Sequence, residues 1–468
     1  MSVTLESLAP CLQGLLPAEL FTCSRDGIPN AAYLSHVDYV DPTHVALSFQ
    51  FFNKSRRNIA ENPQAQVLVL DPDTGEGWRL RLRYERSETT GPLFERMALR
   101  IEAIASYCGL KGIFKLIAAD VYEVLSVEPT GQEGAGRTST RGRSAADPIF
   151  TMKAMQDLSA RIHGAESLDA LMDSILEGLE ASFGFQHSMI LVPAEDERTL
   201  VTIATRGYGE PGVGAEVRFG EGIAGVVAEA RKPIRISGLL RGMLYAWAMH
   251  HPSPNAPPPE RRITLPGLPT PESQLGVPLL VRGELVGVLV LESEIGYRFH
   301  EEDKTSIELL GSYLAIAIQN MQLHERAAEA ASEHAPIVAA EPNVPKPEPA
   351  APRAAAQSPA SSCRDVVYYA SDECILVDTE YLIRGLPAKI LWKLLSARET
   401  GGRSEFTNRE LRLDKSLNLP EWKDNLESRL LLLRRRLEQK CPDIRILPRA
   451  RGRFQLEVAG AISLSRRE

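Results

Sequence analysis

The stretch ESRLLLLRRRLEQKCPDIRILPRARGRFQLEV, residues 427–458, sets leucines and arginines almost side by side. It reads as a core helix with a solvated back, as a membrane-surface helix, or as a nucleic-acid reader. Placed on a helix, Trp422, Leu426, Leu430, Leu433 and Leu437 fall within ~40° of one line, the mark of a stripe that faces a core. Lys423, Arg429, Arg434 and Arg436 border that stripe, Arg435 lies opposite, and Pro420 suits a first helical turn. The surrounding sequence supplies the core. Upstream lie a hairpin, CILVDTEYLIRG, a helix, LPAKILWKLLSARET, and a second helix, TNRELRLDKSL, capped by Thr407 or Asn408. Downstream, DIRILPRARGRFQLEV reads as a basic two-stranded hairpin. An isolated membrane-surface helix would have no such company.

Charge singles out the same region. The chain has 468 residues, a length that suggests about three domains, and a net charge of −8. From Ser361 onward there are 21 basic and 16 acidic residues, so this part is positive and the rest strongly negative. A basic C-terminal domain on an acidic body points to a polyanionic partner for that domain alone. No apolar run approaches a bilayer span, and the start, MSVTLESLAPCLQGLL, carries acids where a signal peptide carries bases, so a cytoplasmic protein without membrane contact is expected. Cys11, Cys23, Cys108, Cys363, Cys374 and Cys441 are scattered without a CxxC pair, which favours small buried hydrophobes over a metal or disulfide framework.

Composition divides the chain. Residues 327–362, dominated by Ala, Pro and Glu, read as a linker, because such a segment buries too little apolar surface to offset its ordering entropy. Residues 129–150, rich in Gly, Ser, Thr and Arg, read as a second linker. The expected order is one domain over 1–128, another over 151–326 and a third over 363–460.

The third domain, with its hairpin, three helices and basic hairpin, resembles the winged helix-turn-helix effector domain of response-regulator transcription factors. Its best motifs are ESRLLLLRRRLE and RGRFQLEV. The resemblance implies an α+β fold that inserts its third helix in the major groove of double-stranded DNA and lays its wing on the backbone. Arg429, Arg434 and Arg435 on the helix, and Arg449, Arg451 and Arg453 in the wing, would then meet DNA. Leu431 and Leu432 depart from the pattern, standing where the family exposes polar residues. A winged helix that contacts protein is the alternative.

In the first domain, ELFTCSRDGIPNAAYLSHVDYV, HVALSFQ, AQVLVLD and WRLRLRYERSE alternate as strands, with a short helix at SRRNIAENP. The order, and above all FFNKSRRNIAENPQAQVLVLD, resembles the FMN-binding split barrel of the pyridoxamine 5'-phosphate oxidase-like family. Lys54, Ser55, Arg56 and Arg57 stand where a strand meets a helix N-terminus, a place where amides and cations converge on a phosphate. The resemblance thus implies FMN. AAYLSHVDY lacks the family's arginine and Phe51 replaces a small hydroxyl residue, which argues against pyridoxal chemistry. A solvated basic helix start on a barrel without cofactor is the alternative.

The second domain opens on a helix, KAMQDLSARIHGAESLDALMDSILEGLEASFG, and continues through strands SMILVP and LVTIATRGYG. FGEGIAGVVAEARKP, GVPLLVRGELVGVLVLES and FHEED then resemble a GAF domain. That implies an α/β small-molecule sensor which dimerises through its flanking helices. The insert over residues 242–273 occupies the stretch that commonly covers the pocket, so Tyr245, Trp247 and Met249 are candidate ligand contacts. His250 or His251 reads as a haem ligand or, more simply, as an exposed residue. The assembly reads as a one-component transcriptional regulator, a homodimer whose split barrel and GAF domain sense a flavin state or a small-molecule effector. The alternative is an FMN-dependent oxidoreductase with regulatory domains.

Overall fold

Alternation in AELFTC, QAQVLVL and WRLRLRYE places every second side chain on one face, and that face lines the interior of a barrel. The computed structural model describes residues 4–12, 18–50, 54–71, 76–107, 115–130, 152–194, 196, 198–210, 212–237, 263, 265–295, 298–299, 301–332, 364–417, 419, 426–450 and 452–467. Its first sheet is antiparallel and contains β1 (Ala18–Cys23), β2 (Pro29–Leu34), β3 (Val37–Asp41), β4 (His44–Phe49), β5 (Gln64–Leu70), β6 (Gly77–Glu88) and β7 (Ala118–Pro129). The order is β2-β1-β5-β6-β7-β4-β3, with Leu20, Val45, Leu47, Val67, Leu80 and Leu82 in the core. Helix α1 (Lys54–Glu61) joins β4 to β5, as its sequence suggests.

Helix α2 (Pro92–Tyr107), between β6 and β7, has no counterpart among the elements expected from sequence. It packs on two sides. Leu93, Met97 and Ile101 join Ala46, Ala119 and Val121 of the barrel. Ala103, with Leu99 and Ile104, joins the core of the next sheet instead.

That sheet contains β8 (His187–Pro193), β9 (Thr199–Arg206), β10 (Glu216–Arg218), β11 (Ile234–Ser237), β12 (Ser273–Val281) and β13 (Glu284–Ser293), in the order β10-β9-β8-β13-β12-β11. The turn between β12 and β13 is the expected Arg282-Gly283 pair, both at positive φ, the conformation a two-residue hairpin favours. The single helix expected over 153–184 is two, α3 (Met152–His163) and α4 (Leu168–Phe183), because Ser167 Oγ accepts from the Ala170 amide and starts a new helix. Helix α5 (Gly222–Ala230) lies flat on the sheet, and α6 (Glu301–Ser332) packs Ile307, Leu310, Leu314 and Ile318 into the protein. Close approach of α5 depends on Gly225 and Gly276. A Cβ at the first would stand 2.1 Å from the Arg218 carbonyl oxygen, and one at the second 2.8 Å from Val227.

The C-terminal elements begin with β14 (Arg364–Tyr369), β15 (Cys374–Val377) and β16 (Glu380–Arg384), followed by α7 (Leu386–Gly401) and β17 (Glu405–Thr407). Helix α8 (Asn408–Leu413) is capped by Thr407 in a capping box with Glu410. Then come α9 (Leu426–Lys440), β18 (Ile444–Ala450) and β19 (Arg453–Val458). The sheets are β16-β15-β14-β20 and β17-β19-β18, where β20 (Ile462–Arg467) runs parallel to β14 beyond the boundary expected at 460. Leu426, Leu430, Leu433 and Leu437 are all buried, as their stripe requires.

Packing divides the chain into two units, Met1–Ala165 with Leu171–Ile316 and Glu166–Ala170 with Ala317–Glu468. The barrel and the second sheet fall within the first of these units, and α2 packs on both. Both linkers lie almost wholly outside the described residues. Among the described residues no helix is long and apolar enough to cross a membrane.

Candidate functional site

The barrel places Lys54, Ser55, Arg56 and Arg57 together in the first turn of α1. Asn58 anchors the helix, its Nδ2 donating to Thr22 Oγ1 at 3.1 Å. Lys54 and Arg57 are exposed. Ser55 is buried, and its Oγ accepts from Asn30 Nδ2 at 2.9 Å, so it serves partly to fix α1 on β2. Arg56 turns back over the Phe49 ring, 4.0 Å from its centroid, and its charge helps to hold Asp120 down against the burial that raises that carboxyl. Two exposed cations beside first-turn amides suit a phosphate; Ser55 and Arg56 are already committed to the barrel.

The second sheet carries a buried polar row that its sequence does not advertise. Registration sets Gln274 of β12 opposite Glu292 of β13, and Glu292 opposite His187 of β8. All three alternate in phase with Gly276, Val290 and Met189, hence on the α5 side of the sheet. Glu292 Oε2 accepts from the Leu268 amide at 3.0 Å and Oε1 from Gln274 Nε2 at 2.5 Å. The Tyr208 ring lies 5.7 Å from His187. Burial pushes the Glu292 carboxyl above the ordinary range against those hydrogen bonds, and burial with the nearby Glu292 charge pushes the Tyr208 phenol up. The Tyr208 hydroxyl lies within hydrogen-bonding reach of Glu292, and Gln274 Oε1 is buried with no hydrogen-bond partner among the described residues. The expected contacts Tyr245, Trp247 and Met249, like His250 and His251, lie outside the described residues.

On α9 the structure corrects the expectation from sequence. Arg429 is buried at 2% exposure and cannot face a groove in this conformation. Arg435 is held by Asp169, its Nε and Nη2 donating to Oδ1 at 2.8 and 2.6 Å. Ser428, about two turns away on the same face, accepts from Gln322 Nε2 at 3.2 Å. Between them Leu431 and Leu432 are 0% and 2% exposed. The two leucines that broke the expected pattern thus belong to a second packed face, formed within this unit by Glu166–Ala170 and the end of α6. Arg434 is half-buried. Arg449 and Arg453 on the hairpin are exposed, Arg449 reaching Gln455 at 2.7 Å, and Arg451 lies outside the described residues. Among the described residues no cluster of His, Cys, Asp and Glu has the arrangement to hold a metal.

Residues 6–130 match the family model for pyridoxamine 5'-phosphate oxidase, and residues 165–319 match that for the GAF domain. The chain carries a GAF domain behind an oxidase-like N-terminal domain. Solved structures similar in part include the GAF domain of an Acinetobacter phosphoenolpyruvate-protein phosphotransferase, 21% identical over 36% of this chain and 93% of that one, with a TM-score of 0.29. An FMN-binding protein from Syntrophomonas wolfei is 18% identical over 27% of this chain and 87% of its own, with a TM-score of 0.23. Free methionine-R-sulfoxide reductase from Neisseria meningitidis is 17% identical over 37% and 95%, with a TM-score of 0.28. No curated protein matches the chain significantly.

The Glu292 row generates a pH test. Its folded pKa lies above the unfolded value, so its contribution to stability is complete below the ordinary carboxylate range and is lost as pH rises through the folded value. Glu292→Gln keeps the acceptor for Leu268 without the charge. Urea unfolding should show the variant gaining on the wild type from pH 5 to pH 8; a difference independent of pH would contradict the assignment.

Proposed function

We propose that this chain is a one-component transcription regulator in which the GAF domain and the oxidase-like barrel sense small molecules and the C-terminal unit binds double-stranded DNA. The observation that carries this reading is the C-terminal arrangement. A capped helix α8, the helix α9 and a β18–β19 hairpin with exposed Arg449 and Arg453 follow one another as in a winged helix-turn-helix. Arginines on a hairpin suit backbone phosphates, and the positive charge of this region in an acidic chain supports the same partner.

The packed outer face of α9 gives the reading a mechanism. With Arg435 on Asp169 and Ser428 on Gln322, the helix is withheld from a major groove. Ligand binding would act by shifting the balance between this covered state and an open one. A ligand in the GAF pocket would meet Glu292, Gln274 and Tyr208, which favours a compound offering both hydrogen-bond donors and acceptors. In the barrel, Lys54 and Arg57 with the first-turn amides of α1 would hold the phosphate of FMN, and bound FMN would supply redox sensitivity. Homodimerisation fits α6, where Leu309, Ile316 and Leu323 recur every seven residues and are 70%, 50% and 52% exposed. Leu314 of the same helix lies in the core. A regulator of this kind works in the cytoplasm.

Three experiments separate these parts. Asp169→Ala in the full chain should raise affinity for duplex DNA in fluorescence anisotropy, while Arg449→Ala and Arg453→Ala should lower it and flatten the salt dependence by about one unit for each phosphate no longer neutralised. A chain that binds no duplex at low salt, with or without Asp169→Ala, refutes DNA binding. Lys54→Ala with Arg57→Ala should weaken FMN binding by about 1.5–3 kcal/mol for each charge-assisted hydrogen bond removed, read by flavin fluorescence quenching. A wild type indifferent to FMN removes the cofactor from the scheme. Ile316→Glu should convert a dimer to a monomer in sedimentation velocity, and a wild type already monomeric at high concentration excludes the seam.

A further inference from the structure

Beside α2, where the barrel and the second sheet share their helix, lies a cleft of about 420 Å³. Arg96 and Arg100 of α2 face it from one side, Lys232 and Arg235 at β11 from another, and Lys304 in the opening turns of α6 from a third. The acids on its wall are Glu95 and Glu308, so the wall carries an excess of three positive charges. Glu95 is paired with Lys232. We propose that this cleft is a binding site for a phosphorylated small molecule, distinct from both the α1 cluster and the Glu292 row.

The arrangement behind the cleft supports the assignment. Arg96 is held from the rear by Asp38, a buried carboxylate that accepts from its Nε at 3.1 Å. Arg100 is backed by His36, whose Nε2 lies 3.4 Å from Nη1. His36 is itself buried at 2% exposure, and burial together with the Arg100 charge lowers its pKa to about 3, so it stays neutral and cannot serve as a sixth cation. Arg235 donates from Nη1 to the Phe299 carbonyl at 2.9 Å. These guanidiniums are thus oriented by groups on their far sides, and preorganised donors lose less on binding a planar or tetrahedral anion than free side chains do.

The composition of the wall selects the class of ligand. Pro92, Leu99, Pro233 and Ile234 supply apolar surface between the cations, and the volume falls in the range of small-molecule sites. An organic body on that surface with its phosphates among the cations uses both features. With Lys232 on Glu95 and Arg96 on Asp38, the positive charge left over around this space still favours a multivalent anion. Because the cations come from the barrel's helix and from the second sheet and α6 alike, the ligand would tighten the joint between the two sensing domains.

The test uses the full chain with ADP and inorganic pyrophosphate as probes at physiological ionic strength. Calorimetric titration should show one site per chain, and hydrogen exchange should show protection in residues 92–100 and 232–235 when either probe is present. Lys232→Gln with Lys304→Gln should weaken binding at least tenfold, while Lys153→Gln, an exposed lysine on α3, should leave it unchanged. Tighter binding of ADP than of pyrophosphate would identify the organic body as part of recognition; equal binding would assign recognition to the phosphates alone. Absence of heat and of protection with both probes overturns the proposal in the wild type, whatever the variant does. Binding that survives the double substitution, or that Lys54→Ala with Arg57→Ala abolishes, overturns it as well.

Discussion

Helix α2 packs into two hydrophobic cores at once, and the architecture of the first unit follows from that. Met97 is fully buried against the barrel and Ala103 fully buried against the second sheet, with less than two turns of helix between them. A helix that completes two cores cannot leave one without opening the other. Ser106 reinforces the joint, its Oγ accepting from the Gly222 amide at 2.8 Å and donating to the Gly220 carbonyl at 3.1 Å, where α5 begins. A shift in either core therefore has a packed element through which to reach the other.

Much of this fold could be read from period alone. Barrel strands such as β1, β5 and β6 alternate, the Arg282-Gly283 turn announces its hairpin, and the leucine stripe of α9 points to its core. Helix α2 escaped because PLFERMALRIEAIASY divides its apolar residues between two faces, so no single stripe stands out against the charged positions. Leu431 and Leu432 looked anomalous for the same reason, since a second packed face is invisible to an argument that expects one.

The site was less legible than the fold. Gln274 and Glu292 sit near strand ends, in SQLG and LESE, where polar residues ordinarily mark the passage into solvent. Only the pairing of β12 with β13 and β13 with β8 brings them into one row, and pairing is a long-range fact. The α1 cluster was legible as a group because four residues are consecutive. Its internal division was not. The structure turns Ser55 toward Asn30 and Arg56 toward Phe49 and leaves Lys54 and Arg57 facing outward.

The parallel pairing of β14 with β20 bears on how the second unit is made. Arg364 is registered against Ile462 and Tyr369 against Arg467, so the first strand of this region finds its neighbour only about a hundred residues later. At translation rates of roughly 5–20 residues per second, β14 waits on the order of several seconds with one edge unpaired. The barrel and the second sheet have by then emerged in full. Synthesis itself thus orders the assembly: the barrel and the second sheet can fold first, and the C-terminal unit closes its sheet last.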